Sequence, residues 1–98
     1  MSYFVFCTFD LKRATSDDYK AAYSDLAKIG LQKVVVSSQN NKVVIPTTAV
    51  AGEFTGADVG SVRDAVRKQV KNAFAARRFS SEIFIVAGGD WAWGAEAT

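Results

Sequence analysis

The chain of 98 residues leaves room for one domain, residues 1–98, because separate cores need about 50 residues each. Its composition, with 49% hydrophobic and 22% charged residues, is typical of a folded chain and excludes disorder as the main state. The absence of histidine and the presence of a single cysteine exclude histidine-dependent triads, Cys–His nucleophiles, zinc fingers and internal disulfides.

The formal net charge of +2 is distributed unevenly along the chain. Residues 59–81 contain six basic side chains and one acidic side chain, whereas residues 82–98 contain three acidic and no basic ones. No apolar run approaches the roughly 18 residues that span a bilayer, and the first residues lack a charged start followed by an apolar run. We therefore expect a cytoplasmic protein that does not contact a membrane.

The first predicted strand covers Tyr3 to Asp10, which are rich in aromatic and β-branched residues. Side chains alternate between the two faces of a strand, and here both faces are apolar as far as Asp10. Helices on one side of a sheet leave the other side uncovered. The sequence therefore predicts that a further element covers the second face.

A first helix is predicted from Ser16, as the N-cap, to Ile29, with Gly30 as its stop. A second strand follows over residues 32–38, and the Asn40-Asn41 pair predicts a tight hairpin turn.

The third predicted strand begins at Lys42 and is interrupted at Pro46, because proline cannot donate to a strand ladder. Pairing is expected to resume over residues 48–54. A second helix is predicted from its cap at Asp58 to Ala76, followed by a fourth strand over residues 79–87. Residues 89–98 form an aromatic C-terminal tail.

The resulting β-α-β-β-α-β order predicts an α+β, ferredoxin-like fold, with a four-stranded antiparallel sheet and two helices on one face. By analogy with that fold, the strand order is 4-1-3-2. In this arrangement the first and third strands are taken to be parallel. Their carboxyl ends are therefore expected to lie together, near the start of the fourth strand. The residues expected to share this rim are Asp10, Lys12, Arg13, Glu53, Arg77 and Arg78.

Basic residues recur every four positions on the second predicted helix and therefore line one helix face. A row of exposed cations neutralises phosphates and gains affinity by releasing counterions, which predicts a nucleic-acid partner. The alternative is a solvated face whose late cations complement the helix dipole. The predicted nucleic-acid-binding residues are Lys12, Arg13, Arg63, Arg67, Lys71, Arg77 and Arg78.

Asp10, at the end of the first strand, is the candidate catalytic residue and metal ligand. Paired with its copy from a second subunit, it would offer oxygen ligands to Mg²⁺ or Mn²⁺, which activate water against a phosphodiester. The alternative is a turn residue that caps local backbone. Glu53 is either a second ligand or an ion-pair partner of Arg77 or Arg78. No glycine-rich phosphate-binding fingerprint is present, so no other cofactor is expected.

Four aromatic residues are candidates for a homodimer interface, because contiguous exposed aromatic surface usually marks one. The alternative is that the aromatic tail folds across the sheet face of its own chain, and both can hold together. The tryptophans are also candidates for stacking on bases. The four residues are Phe4, Phe6, Trp91 and Trp93.

Short motifs run along most of the chain: YFVFCTFDL at residues 3–11, Asp18-Tyr19, Ala22-Tyr23, Leu26, Ile29-Gly30-Leu31, the Asn40-Asn41 hairpin and Ile45-Pro46-Thr47. Together they resemble the superfamily of small ferredoxin-like nucleases. This superfamily contains the CRISPR-associated Cas-two proteins, the VapD-like ribonucleases and the GhoS-type antitoxin endoribonucleases. The hairpin and the motif around Pro46 are most similar to the GhoS-type proteins.

The resemblance implies a homodimer packed through its sheets that binds nucleic acid and, in some members, cleaves single-stranded RNA. The position of the proposed metal ligand of the Cas-two proteins corresponds to Asp10. We therefore expect a homodimer that binds single-stranded RNA or DNA, with metal-dependent endoribonuclease activity centred on Asp10. The alternative is a non-catalytic regulatory dimer, antitoxin-like or phage-encoded, that binds a protein partner.

Overall fold

The computed structural model describes residues 1–98 and contains two helices and five strands. The elements form a compact α+β arrangement in which both helices contribute to one hydrophobic core with the long first strand. Their bounds are β1 Ser2–Leu11, α1 Ser16–Lys28, β2 Val34–Val36, β3 Lys42–Val44, β4 Ala49–Thr55, α2 Val59–Ala76 and β5 Ser81–Gly88.

The main sheet has three strands in the order β4-β1-β5, and both pairings are antiparallel. The odd-numbered side chains of β1 are buried against the helices, while the even-numbered ones from Phe4 to Thr8 are half-buried and Asp10 is exposed. The strand therefore separates a helix-covered face from an open face. The buried odd-numbered side chains are Tyr3, Val5, Cys7, Phe9 and Leu11.

The prediction of one four-stranded ferredoxin-like sheet is wrong. The structure has two sheets, because β2 and β3 pair only with each other as a separate two-stranded hairpin. This hairpin joins the main sheet through a single bridge between Gln32 and Ala51. Pro46 lies between β3 and β4, where its missing N–H prevents a continuous ladder. The interruption predicted at proline thus separates strands of two different sheets.

Helix α1 begins one residue earlier than expected, because its N-cap is Thr15 rather than Ser16. The Thr15 hydroxyl accepts from the backbone of Asp18 over 3.2 Å, and the Asp18 carboxylate accepts from the backbone of Thr15 over 3.0 Å. This reciprocal capping box satisfies two backbone donors at the start of the helix. The helix ends at Lys28, and Gly30 adopts the positive φ of 97° that favours glycine.

Helix α2 starts and ends as predicted, with Asp58 as its N-cap and Ala76 as its last residue. Its buried residues recur every four positions and pack over the odd-numbered side chains of β1. Phe74 packs against Phe9 and Phe79, with ring centroids 5.3 and 5.9 Å apart. Neither helix combines the length and the apolar character needed to cross a membrane. The buried stripe consists of Val62, Val66, Val70 and Phe74.

Candidate nucleic-acid interface

The cations predicted to bind nucleic acid are exposed, and they lie on α2 and on the adjoining rim where β1 ends and β5 begins. A backbone hydrogen bond of 2.8 Å from Lys12 to Ser80 holds the two rim segments together. The positions on α2 are Arg63, Arg67 and Lys71; those on the rim are Lys12, Arg13, Arg77 and Arg78.

The cations of α2 differ in whether a carboxylate neutralises them. Arg63 and Arg67 share Asp64, at 2.9 and 3.3 Å. The hydrogen bond from Arg63 lowers the pKa of the Asp64 carboxyl, so this group is ionised at neutral pH. Lys68 and Lys71 form no ion pair within the chain. The two lysines are therefore the cations of α2 that are free to meet an external anion.

Arg77 has a role within the fold. Its guanidinium donates through two nitrogens to both carboxylate oxygens of Asp25 on α1, and the Nη2–Oδ1 distance is 3.1 Å. This bidentate hydrogen bonding lowers the pKa of the Asp25 carboxyl. The pair joins the end of α2 to α1, and Asp25 rather than Glu53 is therefore the carboxylate partner of Arg77.

Two arginines on the rim occupy backbone conformations that normally favour glycine or asparagine. Arg13 has a φ of 54° and Arg78 a φ of 60°. Such left-handed positions cost a residue with a β-carbon about 1–2 kcal/mol. Neither arginine forms an ion pair within the chain. Their side chains therefore gain no compensating ion pair within the fold.

Asp10 lies at the same rim, but its neighbours differ from those predicted. The Tyr19 hydroxyl donates to Asp10 Oδ1 over 3.2 Å. Asp10 faces Glu82 on the adjacent strand β5. The Glu82 carboxylate is 3.2 Å from the Lys12 ammonium. The predicted neighbour Glu53 instead faces Phe4, near the opposite end of β1. The reason is that β1 and β4 are antiparallel, whereas the prediction took them as parallel.

The residues around Asp10 in a single chain provide too few free oxygen ligands for a divalent cation. Mg²⁺ and Mn²⁺ take near-octahedral sets of oxygen ligands. The chain contains no group of three or more acidic or cysteine side chains that could hold a metal ion. Near Asp10 the second carboxylate, Glu82, is already paired with Lys12. Metal-dependent cleavage centred on Asp10 therefore stays a prediction from the sequence.

The tail folds across the open face of its own sheet. Trp91 stacks on Phe4, with ring centroids 5.7 Å apart and planes inclined by 22°. Further along, Trp93 lines an apolar groove of about 400 Å³ between the sheet and the β2–β3 hairpin. Two of the residues predicted for a dimer interface thus contact each other within one chain. The groove side of the open face is covered by the hairpin and the tail.

The other side of the open face, on β5, carries two exposed apolar side chains that were not predicted from the sequence. Phe84 is 65% exposed and Val86 is 52% exposed. They face Thr8 and Phe6 across the strand pair. The signal was present in residues 83–86, four apolar residues in a row, which predicts a strand that is apolar on both faces.

Cys7 lies on the helix-covered face and is fully buried. Burial raises the pKa of its thiol to about 11, so the thiolate is rare at neutral pH. The residue therefore behaves as a small apolar core side chain. No protein-family model and no curated protein matches this chain.

Proposed function

We propose that the protein binds single-stranded nucleic acid through the exposed cations of α2 and of the rim at the end of β1. The observation that carries the proposal is the set of basic side chains without a carboxylate partner: Lys68 and Lys71 on α2, and Arg13 and Arg78 on the rim. Cations arranged along an exposed helix bind phosphates and release the counterions around them.

Complementing the helix dipole does not explain these cations. That effect is confined to the last turn of a helix. The last turn of α2 contains no basic residue, and Arg77, which follows it, is bonded to Asp25. Lys68 lies in the middle of α2, where it gains little from the dipole. A solvated face would also leave unexplained why six cations and one carboxylate share residues 59–81.

The open face of the sheet is a poorer surface for phosphates. Its side chains include the carboxylates of Asp10 and Glu53, neither of which forms an ion pair within the chain. Phosphates are repelled by such groups. Helix α2 packs against the other face of the sheet. Nucleic acid bound to α2 therefore lies on the side of the sheet away from these carboxylates.

The test is the dependence of binding on salt. Wild-type protein and the double variant Lys68→Ala/Lys71→Ala are titrated into labelled single-stranded RNA and DNA of equal length at several salt concentrations. Each phosphate contact on a single strand contributes about 0.7 to the slope of log affinity against log salt, so the double variant is expected to lower the slope by about 1.4.

The matched control removes the same charge from the neighbouring helix with Lys20→Ala/Lys28→Ala. It is expected to leave most of the wild-type slope, since the binding cations lie on α2. Equal slopes for wild type and the α2 variant would exclude α2 as the binding surface. If wild-type protein binds neither the RNA nor the DNA at low salt, the proposed function itself is overturned.

The same mixtures test the cleavage predicted from Asp10. RNA is incubated with wild type and with Asp10→Ala, each in Mg²⁺ and in EDTA, and the products are separated on a denaturing gel. Cleavage that requires both the metal and Asp10 would add nuclease activity to binding. Binding in the salt titrations without cleavage products on this gel would indicate a protein that binds nucleic acid but does not cut it.

A further inference from the structure

The groove between the main sheet and the β2–β3 hairpin has the size and the walls of a small-molecule site. Its volume of about 400 Å³ lies near the lower end of the range of about 300–1,000 Å³ that such sites occupy. We infer that the groove binds a small, neutral aromatic compound. The inference goes beyond nucleic-acid binding and does not depend on it, because α2 lies on the opposite face of the sheet.

Apolar side chains from three parts of the chain surround the groove. Phe4 and Phe6 of β1 form part of its floor. Val35 and Val43, which face each other in the hairpin, form one wall, and Trp93 of the tail lines another side. Aromatic rings gain from stacked or edge-to-face contacts with other rings, beyond the area that they bury. A flat aromatic ligand therefore gains ring contacts here that an aliphatic ligand of equal size lacks.

The groove offers no charge to a ligand. None of its fourteen lining residues is charged, and nine of them are hydrophobic. A charged group that moves from water into such surroundings loses its hydration without gaining a partner of opposite charge. The groove therefore selects neutral ligands over anions and cations of the same size.

Three threonines bring hydroxyl groups to the groove, and two of these already have partners. Thr8 Oγ1 donates to the Thr48 carbonyl over 3.0 Å, and Thr48 Oγ1 donates to the Phe9 carbonyl over 2.6 Å. The third, Thr47, makes no side-chain hydrogen bond within the chain. An aromatic ligand with one hydroxyl group therefore finds a partner in Thr47, whereas a ligand with several polar groups would leave some of them unsatisfied.

A peptide is a poorer occupant than a small molecule. Strand addition needs free backbone groups along a sheet edge. On the edge of β4 beside the groove, Gln32 and Ala51 already bond each other in both directions, at 2.8 and 2.9 Å. A single turn of an α-helix, about 10 Å wide and about 5.4 Å long, already has about the volume of the whole groove. A compact ligand without a polypeptide backbone fits these limits.

The tail can admit a ligand because little holds it in place. No backbone hydrogen bond joins residues 90–98 to the rest of the chain. The ring of Trp91 stacks on Phe4, and Trp93 is 38% exposed although it lines the groove. Segments without backbone hydrogen bonds open at a low cost in free energy. A ligand can therefore enter beside Trp93 and then be covered by its ring.

The first test uses wild-type protein and three naphthalene compounds of nearly equal size that differ in charge. They are naphthalenemethanol, which is neutral, naphthoate, which is an anion, and naphthylmethylammonium, which is a cation. The two tryptophans give two indole N–H signals in the NMR spectrum of isotope-labelled protein, and Trp93→Phe identifies the signal of Trp93. Naphthalenemethanol is expected to shift this signal in a saturable manner and to bind about tenfold more tightly than either ion.

Three outcomes of the first test would overturn the inference. One is a Trp93 signal that stays unshifted at about 1 mM naphthalenemethanol, because a weaker affinity would not indicate a specific site. Another is equal binding of the alcohol and its charged analogues. The third is a Trp93 signal that responds to protein concentration but not to naphthalenemethanol, which would show that a second copy of the chain fills the groove.

The second test locates the bound compound with two neighbouring valines of β3. Val43 lines the groove, whereas Val44 is on the other face of the hairpin and is 59% exposed. Val43→Phe puts an additional ring into the groove and is expected to weaken the binding of naphthalenemethanol about tenfold or more. Val44→Phe adds the same ring outside the groove and is expected to bind like wild type.

Circular dichroism on both variants shows whether each keeps the fold. If Val43→Phe unfolds, the comparison of the three compounds still decides the question, because it needs only wild-type protein. Equal binding of naphthalenemethanol by a folded Val43→Phe and by wild type would place the compound outside the groove and overturn the inference.

Discussion

The two faces of the main sheet are both apolar along β1, but only one of them is closed. On the helix-covered face the side chains are buried by α1 and α2. On the open face, the hairpin and the tail cover the β4 side and leave Phe84 and Val86 exposed on β5. The difference teaches that a strand apolar on both faces can be closed on one face by helices while exposed apolar side chains remain beside its other face. Helix α2 has a similar division between its buried stripe and its outer cations.

The largest expected contrast is between two phenylalanines on opposite faces. Phe74 is 2% exposed and packs against Phe9 and Phe79. Changing Phe74 to Ala removes a buried ring and leaves a cavity, so we expect a loss of about 3–5 kcal/mol in the free energy of unfolding. Changing the exposed Phe84 to Ala is expected to alter the free energy of unfolding by less than about 0.5 kcal/mol in dilute solution.

Urea denaturation at two protein concentrations checks both values. If a second copy covers Phe84, the effect of Phe84→Ala is expected to grow with protein concentration, whereas that of Phe74→Ala is expected to stay constant. Similar losses for the two variants in dilute solution would contradict the division of the sheet into a buried face and an open face.

The helices and their core were predictable because their signals are local. The spacing of Val62, Val66, Val70 and Phe74 marks the buried stripe of α2, and Asp58 marks its start. The alternation of buried and half-buried side chains along β1 is also a local signal and was likewise predictable. The cap of α1 was placed one residue late because Thr15 and Ser16 are both good caps, and only the reciprocal bond with Asp18 distinguishes them.

The relation between strands was not predictable in the same way. Whether β2 joins the main sheet depends on contacts between distant parts of the chain, and only the Gln32–Ala51 bridge connects the two sheets. The sequence predicted that Pro46 interrupts a strand, but it did not predict that the segments on either side belong to different sheets. The direction of β4 relative to β1 likewise decided where Glu53 lies. The exposed cations of α2 needed only helical periodicity, so their placement was accessible from the sequence.

A smaller effect separates the cation that stabilises the fold from the cations available for binding. Changing Asp25 to Asn removes the charged partner of Arg77 and is expected to cost about 1 kcal/mol at neutral pH. Because the pair lowers the pKa of Asp25 in the folded state, its contribution is present above the unfolded pKa and is lost as pH falls through the folded pKa. Wild type and Asp25→Asn are therefore expected to converge in melting temperature in acid, at a pH below the ordinary pKa of an aspartate side chain.

Thermal melts at neutral pH and in acid measure this difference, with Glu96→Gln as the control. Glu96 lies in the tail and forms no ion pair, so its change is expected to leave the melting temperature unaltered. A constant difference between Asp25→Asn and wild type across the whole pH range would show that the loss comes from packing rather than from the charge.

The smallest expected change in stability is a gain, and it accompanies an expected loss of nucleic-acid binding. Arg78 has a positive φ, so Arg78→Gly relieves backbone strain at the rim. After the greater conformational entropy of unfolded glycine is subtracted, we expect a gain of about 0.5 kcal/mol in the free energy of unfolding. Loss of the guanidinium is expected to weaken nucleic-acid binding about fivefold, as for one lost phosphate contact worth about 1 kcal/mol.

Asn40→Gly is the matched control, because Asn40 also has a positive φ, of 64°, but lies in the turn between β2 and β3. It relieves strain of the same kind without removing a cation, so binding is expected to be unchanged. If Arg78→Gly is more stable and binds as well as wild type, the arginine is not part of the binding surface. If it is more stable and binds less well, the strained arginine is retained at the expense of stability, which is the pattern expected of a residue selected for binding rather than for folding.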